Sequence, residues 1–318
     1  MTTAIPVEES LPTELEGAPT SEGAGDVRKG GWTPRIVITI VAAIWMVPTV
    51  GVLITSFRPE DLVETTGWWT VFGHLFDTSQ WTLENYRSAL DTGGFENAFL
   101  NSLAVTVPST VIPITIAAFA AYAFSWMEFR GRHVMFAAVV GLLVVPLQMA
   151  LIPILRLYTS GAEVAGLRIF PDLDLNGTFL GIWLAHTAFG LPLAVYLLRN
   201  YIGSLPSSII ESAKIDGADH FTIFWRLVVP LSVPALAAFA IFQFLWVWND
   251  LLVARIFLGG TSDVQVLTIA LSNLVGSRGE SWHLLTAAAF ISMVLPLIVF
   301  FTLQRYFVRG LTAGAVKG

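Results

Sequence analysis

Residues 35–57 read RIVITIVAAIWMVPTVGVLITSF, a run with no charged side chain between Arg35 and Arg58. As an α-helix rising 1.5 Å per residue it would be about 34 Å long, enough to cross a hydrocarbon core of ~30 Å. Five further runs of this kind occur, at about 98–126, 134–155, 178–198, 230–258 and 284–307. The second contains Pro108 and Pro113, which bend a membrane helix without abolishing it when neighbours satisfy the freed carbonyls. The expected fold is therefore an all-α integral membrane protein with six transmembrane helices, its membrane domain spanning 35–309.

Composition agrees with lipid as the solvent. Of 318 residues, 55% are apolar and 13% charged, about half the ~25% charge of an average soluble domain. Cysteine is absent, which removes disulfide and thiolate chemistry from consideration. Residues 1–34 read as a disordered acidic tail, with Glu8, Glu9, Glu14, Glu16, Glu22 and Asp26 among Pro, Gly, Ser and Thr. Lacking a basic start and a short apolar core, this tail is not expected to be a cleaved signal peptide.

Between the first two runs lies an acidic loop rich in aromatics, including Trp68, Trp69, Phe72, Phe76, Trp81 and Tyr86, which suit the headgroup zone. Lys and Arg favour cytoplasmic flanks. With six spans and the amino terminus inside, eleven of the 17 Lys and Arg residues fall on the inner side. Both termini, including a tail at 310–318, are thus expected in the cytoplasm.

The most informative loop is 199–229, between the fourth and fifth runs. Ser208 followed by Glu211 has the spacing of a capping box at a helix start. Asp216-Gly217 offers a left-handed break that re-aims the chain. Beyond it Phe221, Phe224, Trp225 and Val228 fall at i, i+3, i+4 and i+7, the apolar stripe of a short amphipathic helix. Such a stripe packs on the ends of the chain's own helices, lies at the lipid interface or docks on another protein.

Glu211-Ser212-Ala213, three residues, Gly217, nine residues, then Leu227-Val228-Val229-Pro230 resembles the EAA signature of permease subunits of bacterial ABC importers. Ser212, Leu227 and Val229 depart mildly from that pattern. Similarity extends from about Asn85 to the carboxyl end, and the ending 310–318 is similar to the maltose-type carbohydrate permeases. The resemblance implies that 199–229 is a coupling loop seated in a cleft of a separate ATPase dimer, with Glu211, Ser212, Ala213, Asp216, Gly217, Phe221, Phe224, Trp225 and Pro230 as coupling residues. It further implies a second, non-identical permease, an extracytoplasmic sugar-binding protein approaching 259–283 (Asp263, Gln265, Asn273, Ser277, Arg278), and a bacterial cytoplasmic membrane as location. The implied cargo is an α-glucoside or related oligosaccharide such as maltose or trehalose, moved by alternating access.

No Gly-x4-Gly-Lys-Ser/Thr phosphate loop occurs, so ATP and Mg are expected on the partner and no cofactor on this chain, which is not expected to be an enzyme. Nothing points to nucleic acid. Polar residues within the spans include Asn101, Gln148, His186, Gln243, Asn249 and Asp250. Gln148, His186 and Gln243 could bond sugar hydroxyls, Trp246 and Trp248 could stack on a pyranose, and Asn249 and Asp250 complete the substrate-path candidates. The same residues could instead glue helices together. Carboxylates that would couple transport to protons or sodium are scarce in the spans, which disfavours the alternative of a secondary transporter for a small polar solute.

Overall fold

The computed structural model describes residues 32–91, 94–274 and 281–315, without the side chains of Val164 and of 306–315. Thirteen α-helices are described: α1 (Trp32–Ser56), α2 (Glu60–Thr65), α3 (Glu84–Asp91), α4 (Phe95–Trp126), α5 (Arg132–Gly141), α6 (Leu147–Ser160), α7 (Phe179–Ile202), α8 (Ser207–Ile215), α9 (His220–Ile223), α10 (Val229–Trp248), α11 (Leu252–Phe257), α12 (Leu267–Leu274) and α13 (Trp282–Ala315). Of the expected tail at 1–34, residues 1–31 lie outside the described residues, as do 316–318, Ser277 and Arg278; residues 32–34 are not a tail but the first turn of α1, and 310–315 continue α13.

Among the described residues five helices are long and apolar enough to cross a membrane: α1, α4, α7, the continuous helix His220–Trp248, and α13. The third apolar run is not one straight helix. It consists of Arg132–Val144 and Leu147–Ser160, meeting at an angle of 106°. Pro146 stands at this corner, at the amino cap of α6, and a proline there cannot donate the hydrogen bond that would carry the helix through. A hairpin, β1 (Ala162–Val164) antiparallel to β2 (Leu167–Phe170), stands between α6 and α7.

By its contacts the chain divides at Thr49 into two units. The described part of the first is the apolar beginning of α1. The second is built around α4, α7 and α10, with α13 on α10 and on α3. Small residues let the central helices approach closely. Ala117, Ala121, Ala185 and Ala194 are fully buried, as expected where helices pack without a hydrophobic drive between them.

Gly190 of α7 lies close against α10. A β-carbon there would stand 2.7 Å from the Gln243 side-chain amide, which is itself fully buried and donates to the Ser109 carbonyl at 3.2 Å. Gly190→Ala is therefore expected to lower stability by about 1–3 kcal/mol, as overpacking does. In a Gln243→Ala background that loss should vanish, because the two sites couple through contact. Thermal unfolding of the four purified proteins measures this, and an undiminished loss in the double variant contradicts it.

The segment after α1 folds back on itself. Arg58 is buried and donates to the Gly67 carbonyl at 3.0 Å and to the Thr66 hydroxyl at 2.6 Å. Asn85 ties the same corner by donating to the carbonyls of Ser56 and Arg58. Trp69, Phe72 and Phe76 project outward from this loop, 60% or more exposed.

Candidate functional site

Helix α7 ends at Ile202, and after Pro206 the chain enters α8. The expected capping box is not formed. The helix starts at Ser207 behind Pro206, and no side chain caps it. Ser208 therefore sits inside the first turn, where its hydroxyl cannot serve as the cap. The far end of α8 meets the expectation closely. Gly217 has φ +81°, its N–H donates to the Lys214 carbonyl at 3.1 Å, and the Ala218 N–H reaches back to the Ala213 carbonyl at 2.9 Å. This pair of bonds is a Schellman closure, which needs the left-handed conformation that glycine adopts freely.

Asp219 then caps the next helix by accepting from the Thr222 N–H at 2.9 Å. Hydrogen bonding from Thr222 holds this carboxyl below its ordinary pKa, so it stays ionised against the positive helix end. Beyond this cap the structure corrects the expectation of a separate amphipathic helix ahead of a fifth span starting at Pro230. Residues His220–Trp248 form one helix, widened by a π-helical turn at Phe224–Val228 whose bond runs from the Val229 N–H to the Phe224 carbonyl. The turn precedes Pro230, which has no N–H for the Arg226 carbonyl, and a wider turn relieves that conflict. The helix also ends at Trp248, ten residues short of the expected 258.

The π turn splits the apolar stripe. Phe224 and Val228 are buried (3% and 0% exposed), as are Ile210 and Ile223. The Phe224 ring stacks on Phe119 of α4 at 4.5 Å between centroids. Phe221 is 66% exposed, Trp225 46% and Ile215 86%. One half of the stripe thus holds the elbow to its own bundle and the other half faces outward, together with Glu211, Ser212, Lys214 and Asp216 on α8 and at its end. Pro230 lies within the first turn of α10.

Contacts that the sequence does not single out tie the helix ends beside the elbow to one another and, at His220, to the elbow itself. Tyr122 Oη lies 2.8 Å from His220 Nδ1, and Trp126 Nε1 donates to the Ile202 carbonyl at 3.1 Å. Tyr201 Oη donates to the Leu231 carbonyl at 3.3 Å, and the Arg199 guanidinium lies 4.8 Å from the Phe136 ring centroid. Aromatic residues with a polar tip at helix ends were the available signal, but sequence spacing does not reveal which backbone carbonyl each one meets.

The seven substrate-path candidates do not share one cavity: His186, Trp248 and Asp250 line a small buried one, and the other four lie elsewhere. His186, Gln243 and Trp248 are buried, and the Trp248 indole donates to the Ser292 carbonyl at 3.1 Å, so these three lie between helices. Asn249 bonds back to the Leu245 carbonyl. Asp250 accepts from the N–H groups of Val253 and Ala254 and caps α11. Trp246 lines an apolar cavity with Leu143, Leu147 and Phe189 beside the bent pair. Gln148 sits on the first turn of α6. At the opposite end of α4 from the elbow, Asn101 donates to the carbonyls of Asp263 and Gln265.

A multi-pass α-helical membrane protein with a helical elbow, partly solvent-exposed, ahead of its long helix His220–Trp248 is the class these features define. The chain belongs to the family described as binding-protein-dependent transport system inner membrane component, whose profile matches residues 99–313. It is 60% identical to the osmoprotective compounds uptake permease protein GgtD of Synechocystis sp., over 89% of this chain and 91% of that protein. It is 44% identical to the alpha-glucoside transport system permease protein AglG of Rhizobium meliloti, over 90% of this chain and 97% of the relative. Its fold is similar to a solved bacterial ABC transporter involved in import of the acidic polysaccharide alginate, with a TM-score of 0.68 at 20% identity, covering 87% of this chain and 96% of the other.

Proposed function

We propose that this chain is the permease subunit of an ATP-driven importer and that the elbow 207–225 is where a separate ATPase dimer docks. The carrying observation is the Gly217 closure, which sets α8 and α9 at a fixed angle and leaves Ile215 and Phe221 exposed on either side of it. Exposed apolar side chains on a rigid bend are what a protein interface uses as anchors, and in water they would otherwise be unfavourably placed. Glu211 and Asp216 can pair with basic groups of the partner. Phe224 and Val228, packed inside, transmit displacement of the elbow to α4 and α10 and do not themselves touch the ATPase.

In this reading the bent pair counts as one crossing, giving six spans with the elbow and both termini in the cytoplasm. The positive-inside count supports that orientation. A second, non-identical permease completes the pore, and an extracytoplasmic binding protein delivers the cargo to the face carrying 259–274. The cargo is a carbohydrate of the α-glucoside kind, supported by the name of the relative from Rhizobium meliloti and by that of a trehalose permease, SugB of Mycobacterium tuberculosis, at 30% identity. The relative named for osmoprotective compounds makes a small osmoprotectant the second candidate.

Proteoliposomes containing the chain with its cognate ATPase, second permease and binding protein provide the test. Accumulation of a labelled α-glucoside is expected only when ATP on the ATPase side and the binding protein on the other are both present. A panel of α-glucosides, trehalose and an osmoprotectant decides the cargo. Uptake by this chain alone under an ion gradient, without ATP, would favour the secondary transporter instead.

A further inference from the structure

His186 is 1% exposed, yet neither of its ring nitrogens has a hydrogen-bond partner in the protein. Its Nε2 lies 3.8 Å from Asp250 Oδ2, too far for a direct bond and far enough that a water set to one side can reach both. The space between them exists. A cavity of about 10 Å³ is lined by His186, Asp250, Ser102, Thr106 and Thr268 together with Trp248 and five aliphatic residues, and roughly this volume is the least that holds one water molecule when two to four polar groups are within its reach. A metal cation fits poorly. Both Asp250 oxygens already accept backbone N–H groups, Ser102 Oγ accepts from the Leu267 N–H, and hard cations need about six or more oxygens.

We propose that His186 and Asp250 hold one ordered water and that this bridge locks the segment 249–274 to α7. Asp250 is the hub of that segment. Its carboxylate caps α11, and its carbonyl accepts from the Thr268 hydroxyl of α12 at 2.7 Å. The segment is stitched to α4 as well, through Ser102 and Asn101, and the Gly177 N–H, just ahead of α7, donates to the Phe257 carbonyl at 2.7 Å. Of these ties, only the bridge joins the middle of α7 to the break that ends α10. His186 and Asp250 are therefore positioning residues. If the chain is an importer permease, as proposed above, the extracytoplasmic mouth then moves as one body with the central helices when the elbow is driven from the other side.

The test has two parts on the assembled transporter. In a high-resolution structure of the unaltered complex, water density within about 3.2 Å of both His186 Nε2 and Asp250 Oδ2 is expected; a dry cavity, or an ion with a full oxygen shell, overturns the proposal. In proteoliposomes, His186→Leu and Asp250→Asn are each expected to lower uptake at least about tenfold at equal amounts of complex, while the ATPase activity without binding protein is kept. The double variant should be no worse than either single one, and His186→Gln should recover most of the uptake. Independent, multiplying losses or unaltered uptake in the single variants overturn it. If the variants fail to assemble, the density decides. Failure of the importer reading would look different, since the unaltered chain would then show no ATP-dependent uptake at all.

Discussion

Phe221→Asp is expected to weaken association with the ATPase by about 2–4 kcal/mol, roughly 30- to 1,000-fold in Kd, without unfolding the permease. The side chain is 66% exposed, and its recorded ring contact is with Trp225, itself 46% exposed, at 6.2 Å between centroids. Little intramolecular stability is lost with it. At the proposed interface a carboxylate in its place would be buried, and burying an unpaired charge is strongly unfavourable. Phe224→Asp makes the control, because Phe224 is 3% exposed and stacked on Phe119. That change should cost more than about 3 kcal/mol of the permease's own stability. Titrating purified ATPase onto the two variants, alongside their melting curves, separates the cases. Unchanged affinity in Phe221→Asp would remove this residue from the interface.

Gly217→Pro is expected to abolish coupling, with uptake falling at least about tenfold, while Gly217→Asn keeps most of it. No heavy atom lies within 4 Å of the place a β-carbon would take, so the cause is backbone conformation and not space. Proline fixes φ near −65° where the chain needs +81°, and it removes the N–H that bonds to Lys214. Asparagine tolerates the left-handed region better than most non-glycine residues. Uptake and ATP hydrolysis measured together on both variants test this. Equal uptake in the two would mean that the elbow's angle does not matter.

The membrane helices were legible because an uninterrupted apolar run of about twenty residues or more is at home only in lipid or a large core, and α1, α4, α7 and α13 start within three residues of where the runs suggest. Hydropathy was blind at Pro146. The apolar residues continue across it, so the 106° corner leaves no trace in composition. The fifth long helix differs at both ends from the apolar run 230–258, and its boundary residues explain why. Pro230 reads as a helix start, whereas a π turn carries the helix through it from His220, and Asn249-Asp250 then ends the helix early by turning Asp250 to cap α11.

At the elbow, Gly217 was readable because a left-handed position selects its residue. Ser208 was not, since a capping box depends on whether the helix begins one residue earlier or later. The stripe from Phe221 to Val228 was right in spacing but silent about which half is covered, because that depends on Phe119 and Tyr122, about a hundred residues away in sequence. His186 and Gln243 were visible as polar residues in apolar runs. Whether such a residue faces a path or a neighbouring helix is set by packing, and Gly190, a clue to the second outcome, gains meaning only once Gln243 lies against it.

The absence of cysteine from the sequence makes the most direct measurement simple. Phe221→Cys in sealed vesicles, treated with a membrane-impermeant maleimide from either side, reports where the elbow lies and whether it is covered. The account predicts labelling from the cytoplasmic side alone, and protection once the ATPase dimer is bound. Labelling from the outer side, or at an unchanged rate with the ATPase in place, would contradict it.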